Sequence, residues 1–341
     1  MPKKAKNKYG YKELSGSLAS GEIGCLYIFH GDERYLLQHS LAALRRSLCP
    51  DGLGSFNYRR FEGRGFDPDE LSAAVNTLPA FAERTLIEVH DFDVMKSDTA
   101  EKLIGIFSDI PEYACVVFVY DAMPYKPDGR LKITGELLKY ANVIEFAVQE
   151  QDKLIKWIGQ HFASAGKRIS PQDSEYLAFI TGGYMSALLG EIGKVSAYAK
   201  AETVTRRDID AVASPVLDAV VYKMTDALAK RDHGNAMKML GELLEMREEP
   251  HKLLYSISLK IRQLLAARVC VENGMDKSAL MEMCGLRHEF IARPLMDTAR
   301  RMTLSDCRKA VLNCSAAAYG LNSAPEPEAR LTELVARLAL S

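Results

Sequence analysis

The chain has 341 residues, too many for one ordinary core, so two or three domains are expected. With 48% hydrophobic and 26% charged residues it has the composition of a globular protein, which excludes collagen-like, disordered and disulfide-scaffold classes. The net charge of −1 hides local contrasts.

In chain order the first feature is local charge. Five lysines crowd the opening MPKKAKNKYGYK, with no apolar stretch behind them of the kind a secretory leader needs. The segment reads as a basic tail that is either only solvated or in touch with nucleic acid. Next, strand CLYIF (Cys25 to Phe29) runs through the turn HGDERYL into a helix whose Leu37, Leu41, Leu44 and Leu48 share one face. Strand, tight turn and helix frame a phosphate-binding loop, but that loop needs several glycines, a Lys and a Ser or Thr. Here there is one glycine, Gly31, and Asp32 and Glu33 occupy the helix start, where the macrodipole already favours negative charge. A polyphosphate would meet two carboxylates. The simplest alternative is that Asp32 only caps an ordinary helix.

Four further apolar, β-branched runs follow: SFNYRRF (Ser55 to Phe61), TLIEVHDF (Thr85 to Phe92), ACVVFVY (Ala114 to Tyr120) and NVIEF (Asn142 to Phe146). Amphipathic stretches separate them, so residues 1–148 read as an α/β domain with a parallel sheet, RecA-like or doubly wound. Asp91, Asp93 and Asp121 end two of these strands, where a nucleotide enzyme holds Mg²⁺; a carboxylate is also a common way to end a strand. The longest apolar run is far shorter than a membrane span, so no membrane partner is expected.

After Val148 the strand signal disappears. Helices are expected over Lys153 to Ala165, from Pro171 with Ser170 as N-cap and Gly182 as stop, over Met185 to Lys200, and in RRDIDAVAS behind Thr205. Residues 149–214 thus form a small all-α lid of about 65 residues. From Pro215 the helical pattern continues: 217–230, 233–246, 250–272, 277–284, 289–301, 304–319 and 326–340. Their apolar faces call for a bundle over 215–341.

The seven cysteines have no CxxC pair and read as reduced core thiols. Cys284 with His288, and Cys307 with Cys314, fit helical core spacing better than a zinc site.

The motifs taken together resemble one family. LYIFHGDERYLLQHSLAAL is similar to the opening signature of the bacterial DNA polymerase III delta subunit, an AAA+ clamp-loader family whose G-[DE]-E-x-Y-L turn replaces the phosphate loop. NTLPAFAERTLIEVHDFD, MPYKPDGRLKITGELLKYANVIEFAVQ, GGYMSALLGEIGKVSAYA and VTRRDIDAVAS resemble its later segments, in order. The resemblance implies an AAA+ sheet domain (1–148), a helical lid (149–214) and a helical collar (215–341) that joins other subunits. It implies a non-ATPase arm that binds and opens the sliding clamp for loading on primed DNA during replication. No cofactor is expected, and no intrinsic ATPase or polymerase chemistry; polymerisation belongs to the holoenzyme. Implied partners are the sliding clamp (beta subunit), the loader's ATPase subunits and delta-prime, and primer-template DNA. The implied place is the cytoplasm of a bacterium, at the nucleoid-associated replisome.

In the family an apolar pair just before the third strand engages the clamp. The matching positions are Ala80 and Phe81, and the Pro79 turn can present Leu78 and Phe81 outward, as an aromatic anchor of an interface requires. Ala80 departs from the family, which places a larger apolar residue there. The competing reading is that Leu78 and Phe81 pack under their own sheet edge. Arg84 is read as a structural residue at the strand entrance, with a place at the clamp rim as the alternative. Among basic residues, Arg59, Arg60, Lys260 and Arg262 are candidate DNA contacts, with Arg206, Arg207 and Arg268 as further phosphate-tracking candidates. Two other functions stay open at this point: an AAA+ ATPase with a divergent nucleotide site, and a DNA-binding regulator with a helical lid.

Overall fold

A computed structural model describes residues 10–49, 54–63, 65–96, 100–321 and 326–339. Most of the basic opening segment, residues 1–9, lies outside the described residues. The chain divides into two compact units, the first ending at Val148 and the second beginning at Gln149.

The first unit runs α1 (Tyr11–Ser20), β1 (Leu26–His30), α2 (Arg34–Leu48), α3 (Gly54–Asn57), β2 (Tyr58–Glu62), α4 (Pro68–Val75), β3 (Thr85–His90), α5 (Ala100–Ser108), β4 (Ala114–Tyr120), α6 (Lys132–Tyr140) and β5 (Asn142–Glu145). Its five strands lie in the order β2-β3-β4-β1-β5. Every neighbouring pair is parallel, with Leu26 opposite Val116, Thr85 opposite Ala114 and Tyr58 opposite Leu86. This is the RecA-like arrangement expected.

A parallel sheet is covered on both faces, so its central strands are buried along their whole length. All residues of β3 and β4 are buried. Leu71 and Val75 of α4, Leu103 and Phe107 of α5, and Ile133 and Leu137 of α6 pack with Ile28, Ile87 and Val89. On the other face α2 buries Leu37, Leu41, Leu44 and Leu48, the leucine row seen in the sequence. The edge strand β2 is only half covered.

Two sequence expectations are corrected in this unit. The run from Ser55 does not begin as a strand: 54–57 form a single helical turn, and β2 starts at Tyr58. The Asn57 side chain turns away to bond another loop, which ends the helical turn where the strand starts. Helix α1 over Tyr11–Ser20 had no counterpart in the sequence reading; it is tied to the sheet by an edge-to-face contact between Tyr11 and Phe146, with ring centroids 6.3 Å apart.

The second unit begins with α7 (Gln151–Ser164), β6 (Arg168–Ile169), α8 (Pro171–Ile180), α9 (Met185–Tyr198), β7 (Thr203–Val204) and α10 (Arg206–Val212). Ser170 caps α8 by accepting from the Asp173 amide at 3.0 Å, with Pro171 in its first turn. Thr205 and Asp208 form a reciprocal capping box on α10. The expectation of no strands here is corrected by the short parallel pair β6-β7, which links the residues after α7 to those after α9.

Seven helices follow among the described residues: α11 (Leu217–Ala229), α12 (His233–Glu245), α13 (Pro250–Glu272), α14 (Lys277–Cys284), α15 (Glu289–Ala299), α16 (Leu304–Leu321) and α17 (Pro327–Ala339). Helix α13 is central. Its Leu253, Ile257, Ile261 and Leu264 share one core with Val221, Met224, Leu240, Leu243, Leu295 and Leu334. No helix among the described residues is long and apolar enough to cross a membrane.

Candidate functional site

Two places in the first unit bear on the sequence expectations, and they lie at opposite ends of the parallel strands. The turn after β1 lies at the carboxyl ends of the strands. The Leu78 to Phe81 turn lies at their amino ends, just before β3 begins at Thr85. Six residues of strand separate the two levels, roughly 20 Å.

The first place is closed. The Glu33 amide, which at the start of a helix would point at a phosphate, donates to the Phe146 carbonyl at 2.9 Å. Phe146 in turn donates to the His30 carbonyl at 2.7 Å. Gly31 has φ +129, and a Cβ there would lie 2.4 Å from the Phe146 oxygen, so the turn and the segment after β5 touch backbone to backbone. The capping residue of α2 is Glu33 and not Asp32: the buried Glu33 carboxylate accepts from the Tyr35 amide at 3.3 Å, while Asp32 is exposed. The strand-end carboxylates are also engaged locally. Asp91, at φ +49, accepts the amides of Asp121, Ala122 and Met123 at 2.8 to 3.1 Å through one oxygen. Asp121 pairs with Arg34 at 3.3 Å and accepts from Gln38 at 3.1 Å, and Asp93 accepts from the Met95 amide. Asp91 thus fixes the loop after β4 to the end of β3, and Asp121 ties that loop to α2. Among the described residues no group of three or more His, Cys, Asp or Glu is arranged to hold a metal ion.

The second place is open and apolar. Helix α4 stops at Val75, and the side chains of Asn76 and Thr77 cover carbonyls of its last turn at 2.8 Å. The chain then turns through Leu78, Pro79, Ala80 and Phe81. Leu78 is 71% exposed and Phe81 84% exposed, whereas Pro79 and Ala80 are half-buried. The reading in which Leu78 and Phe81 pack under their own sheet edge therefore fails. Phe81 has φ +56, a left-handed conformation that costs a non-glycine residue of order 1 kcal/mol or more.

What holds the turn is a residue that the sequence did not single out. Asn57, 1% exposed, donates from Nδ2 to the Ala80 carbonyl and accepts the Ala80 amide on Oδ1, both at 2.7 Å. The amide side chain acts as a short piece of strand beside Ala80. Phe56, 60% exposed, precedes it in the chain and brings another apolar side chain to the same end of the sheet. Asn57 is itself placed by β2: the next residue, Tyr58, donates to Glu88 at 3.0 Å. Glu88 is fully buried in the middle of β3 and also meets Arg45 at 2.5 and 2.6 Å and His90 at 2.9 Å. Burial alone would push the Glu88 carboxyl up, but the hydrogen bonds from His90, Arg45 and Tyr58 outweigh it and hold it below its ordinary range. Arg84 closes the other end of the turn. Its guanidinium donates to the carbonyls of Ile23, Gly24 and Ala114, clipping the start of β3 to those of β1 and β4.

The basic candidates separate. Arg59 and Arg60 are exposed on edge strand β2, with Arg60 paired to Glu62 at 2.7 Å. Arg262 is exposed on α13, in the other unit. Lys260 is a correction: it is 7% exposed, its Nζ donates to Gln263 at 3.0 Å, and burial lowers its pKa. A buried ammonium on the central helix cannot reach a phosphate from there. Arg206 lies 3.4 Å over the Tyr176 ring, and Arg268 donates to Glu272.

Two family models match: that of the DNA polymerase III delta subunit over residues 27–147, and that of the C-terminal domain of the same delta subunit over residues 218–336. The chain belongs to the DNA polymerase III delta subunit family. It is similar to DNA polymerase III subunit delta of Bacillus subtilis (strain 168), with 24% identity over 93% of both chains. It is also similar to the probable DNA polymerase III subunit delta of Aquifex aeolicus (strain VF5), with 21% identity over 84% of this chain and 83% of that one. Among solved structures, the Bacillus subtilis DNA clamp loader delta protein aligns with a TM-score of 0.62 and 20% identity. That alignment covers 97% of this chain and 100% of the other, so the fold is shared along the length. The expectation of a parallel-sheet α/β unit followed by helices holds.

Proposed function

We propose that the chain is the arm of a clamp loader that binds the sliding clamp and helps open it, so that the ring can be placed on primed DNA. The observation that carries this reading is the turn at the amino edge of the sheet: in a delta-family chain, Leu78 and Phe81 stand exposed on a backbone held from behind by Asn57. A large aromatic and an aliphatic side chain presented on a fixed turn are what a groove on a partner recognises. With Ala80 half-buried against Asn57, Leu78 takes the place beside Phe81 that the family gives to a larger residue at 80.

In this reading residues 1–148 engage the clamp, 149–214 form the lid, and 215–341 join the ATPase subunits and delta-prime in a collar. ATP is bound by those neighbours. The Glu33 to Phe146 hydrogen bond argues against the ATPase alternative, because the backbone donor a phosphate would use is taken. Exposed Arg59, Arg60 and Arg262 are the remaining candidates for contact with primer-template DNA in the assembly. The place of action is the bacterial replisome.

The test is clamp loading on primed circular DNA by an assembled loader with and without this chain. The reading expects ring loading only with the chain present, and strongly reduced loading when Leu78 and Phe81 are both alanine. Undiminished loading without the chain contradicts it.

A further inference from the structure

We propose that Asn57 is the positioning residue of the clamp-binding turn: its side-chain amide sets the backbone conformation in which Leu78 and Phe81 reach the clamp. This rests on the clamp-binding reading above and adds a residue to it, one on a different element and more than twenty positions away in sequence.

Three observations converge. The amide of Asn57 makes both of its bonds to one residue, Ala80, at 2.7 Å each, and Ala80 sits between the two exposed apolar side chains. Among the described residues no other hydrogen bond holds the backbone from Leu78 to Glu83. The residue directly after Ala80 is Phe81, held at φ +56, a conformation that an unrestrained phenylalanine leaves readily. An exposed loop in a disfavoured conformation persists only when something over-determines it, and here that something is the Asn57 amide. Asn57 is 1% exposed, so it touches no partner itself and acts through the turn. Cys49 adds support from below, with its thiol directed at the Asn57 carbonyl at 3.4 Å.

Positioning lowers the cost of binding, because a turn already in its bound shape loses less conformational freedom on docking. Removing both hydrogen bonds should weaken clamp binding by about tenfold or more. The loss should operate only through the anchor it positions.

The experiment measures binding of the purified full-length chain to the sliding clamp for wild type, Asn57→Ala, Asn57→Asp, Phe81→Ala and the double variant Asn57→Ala/Phe81→Ala. Asn57→Asp keeps an acceptor for the Ala80 amide but sets a buried carboxylate oxygen against the Ala80 carbonyl, so its affinity should fall at least as far as that of Asn57→Ala. In the Phe81→Ala background, Asn57→Ala should cost less than it does in wild type, with the remaining loss carried by Leu78, a non-additivity that general destabilisation does not produce. Equal binding by Asn57→Ala and wild type, with Phe81→Ala weakened, overturns the positioning role and leaves the clamp reading standing. A wild type that fails to bind the clamp overturns both. Should the variants unfold, amide hydrogen exchange on the wild type decides: protection of the Ala80 amide within its exposed loop supports the role, and free exchange there overturns it.

Discussion

The Glu33 amide donates to the Phe146 carbonyl at 2.9 Å, so the start of α2 faces the chain's own backbone where a nucleotide-binding relative would face a phosphate. The contact depends on Gly31, whose missing Cβ lets the two segments meet. Gly31→Ala should therefore destabilise the protein by roughly 2 kcal/mol or more, from the strained φ and the backbone clash together. Urea unfolding measures this; a midpoint equal to that of wild type contradicts it.

The same closure predicts how the isolated chain responds to nucleotide. A ligand that binds the folded state raises the melting temperature by mass action. Millimolar Mg-ATP should leave the melting temperature of this chain unchanged, and a saturable rise would show that the turn opens to admit phosphate.

Glu88 gives a pH dependence with a definite sign. Its folded pKa is held below the ordinary 4.5, so the stabilisation from Arg45, Tyr58 and His90 is present above that value. It is lost as pH falls from 4.5 through the depressed folded value. Arg45 retains 35% of its side-chain exposure, which screens part of the pair. Glu88→Gln should cost about 2 kcal/mol at neutral pH and flatten the acid limb of the stability curve. Thermal melts of both proteins from acid to neutral pH check it; parallel curves contradict it.

Lys260 runs the other way. Burial lowers its pKa, so the ammonium destabilises the fold at neutral pH, and that cost is relieved as pH rises through the folded value toward the ordinary 10.5. Lys260→Met should raise stability by about 1 kcal/mol and leave DNA affinity unchanged. Arg262→Ala, nearby on an exposed face, should weaken DNA binding by the assembled loader and reduce its salt dependence. Filter binding at low and high salt separates the two residues.

Much of the fold was legible because its signals are local. The run Ala114 to Tyr120 is a strand from end to end, since a seven-residue β-branched segment without turn residues suits a doubly covered sheet. The helix Pro250 to Glu272 was bounded by proline at its start and Asn-Gly at its end. What was not legible depended on partners distant in sequence. Lys260 and Arg262 stand about 200° apart on α13, so one face cannot hold both, and which of them is covered is set by helices distant in sequence: Lys260 falls inside and Arg262 outside. Ser55 to Asn57 alternate as a strand would, yet Asn57 spends its side chain on Ala80. At the site, Leu78 and Phe81 were readable from the proline turn and the family resemblance. Asn57 was not, because an asparagine before a strand carries no sign that its amide reaches a loop more than twenty residues on.

The most direct test of the central claim is the equilibrium affinity of the full-length chain for the sliding clamp, without nucleotide, for wild type and Phe81→Ala. Wild type should form a specific complex, and the variant should lose about 2 kcal/mol of affinity, roughly thirtyfold. Equal affinity of the two proteins, with both folded, would contradict the assignment of the Leu78 to Phe81 turn as the clamp-binding element.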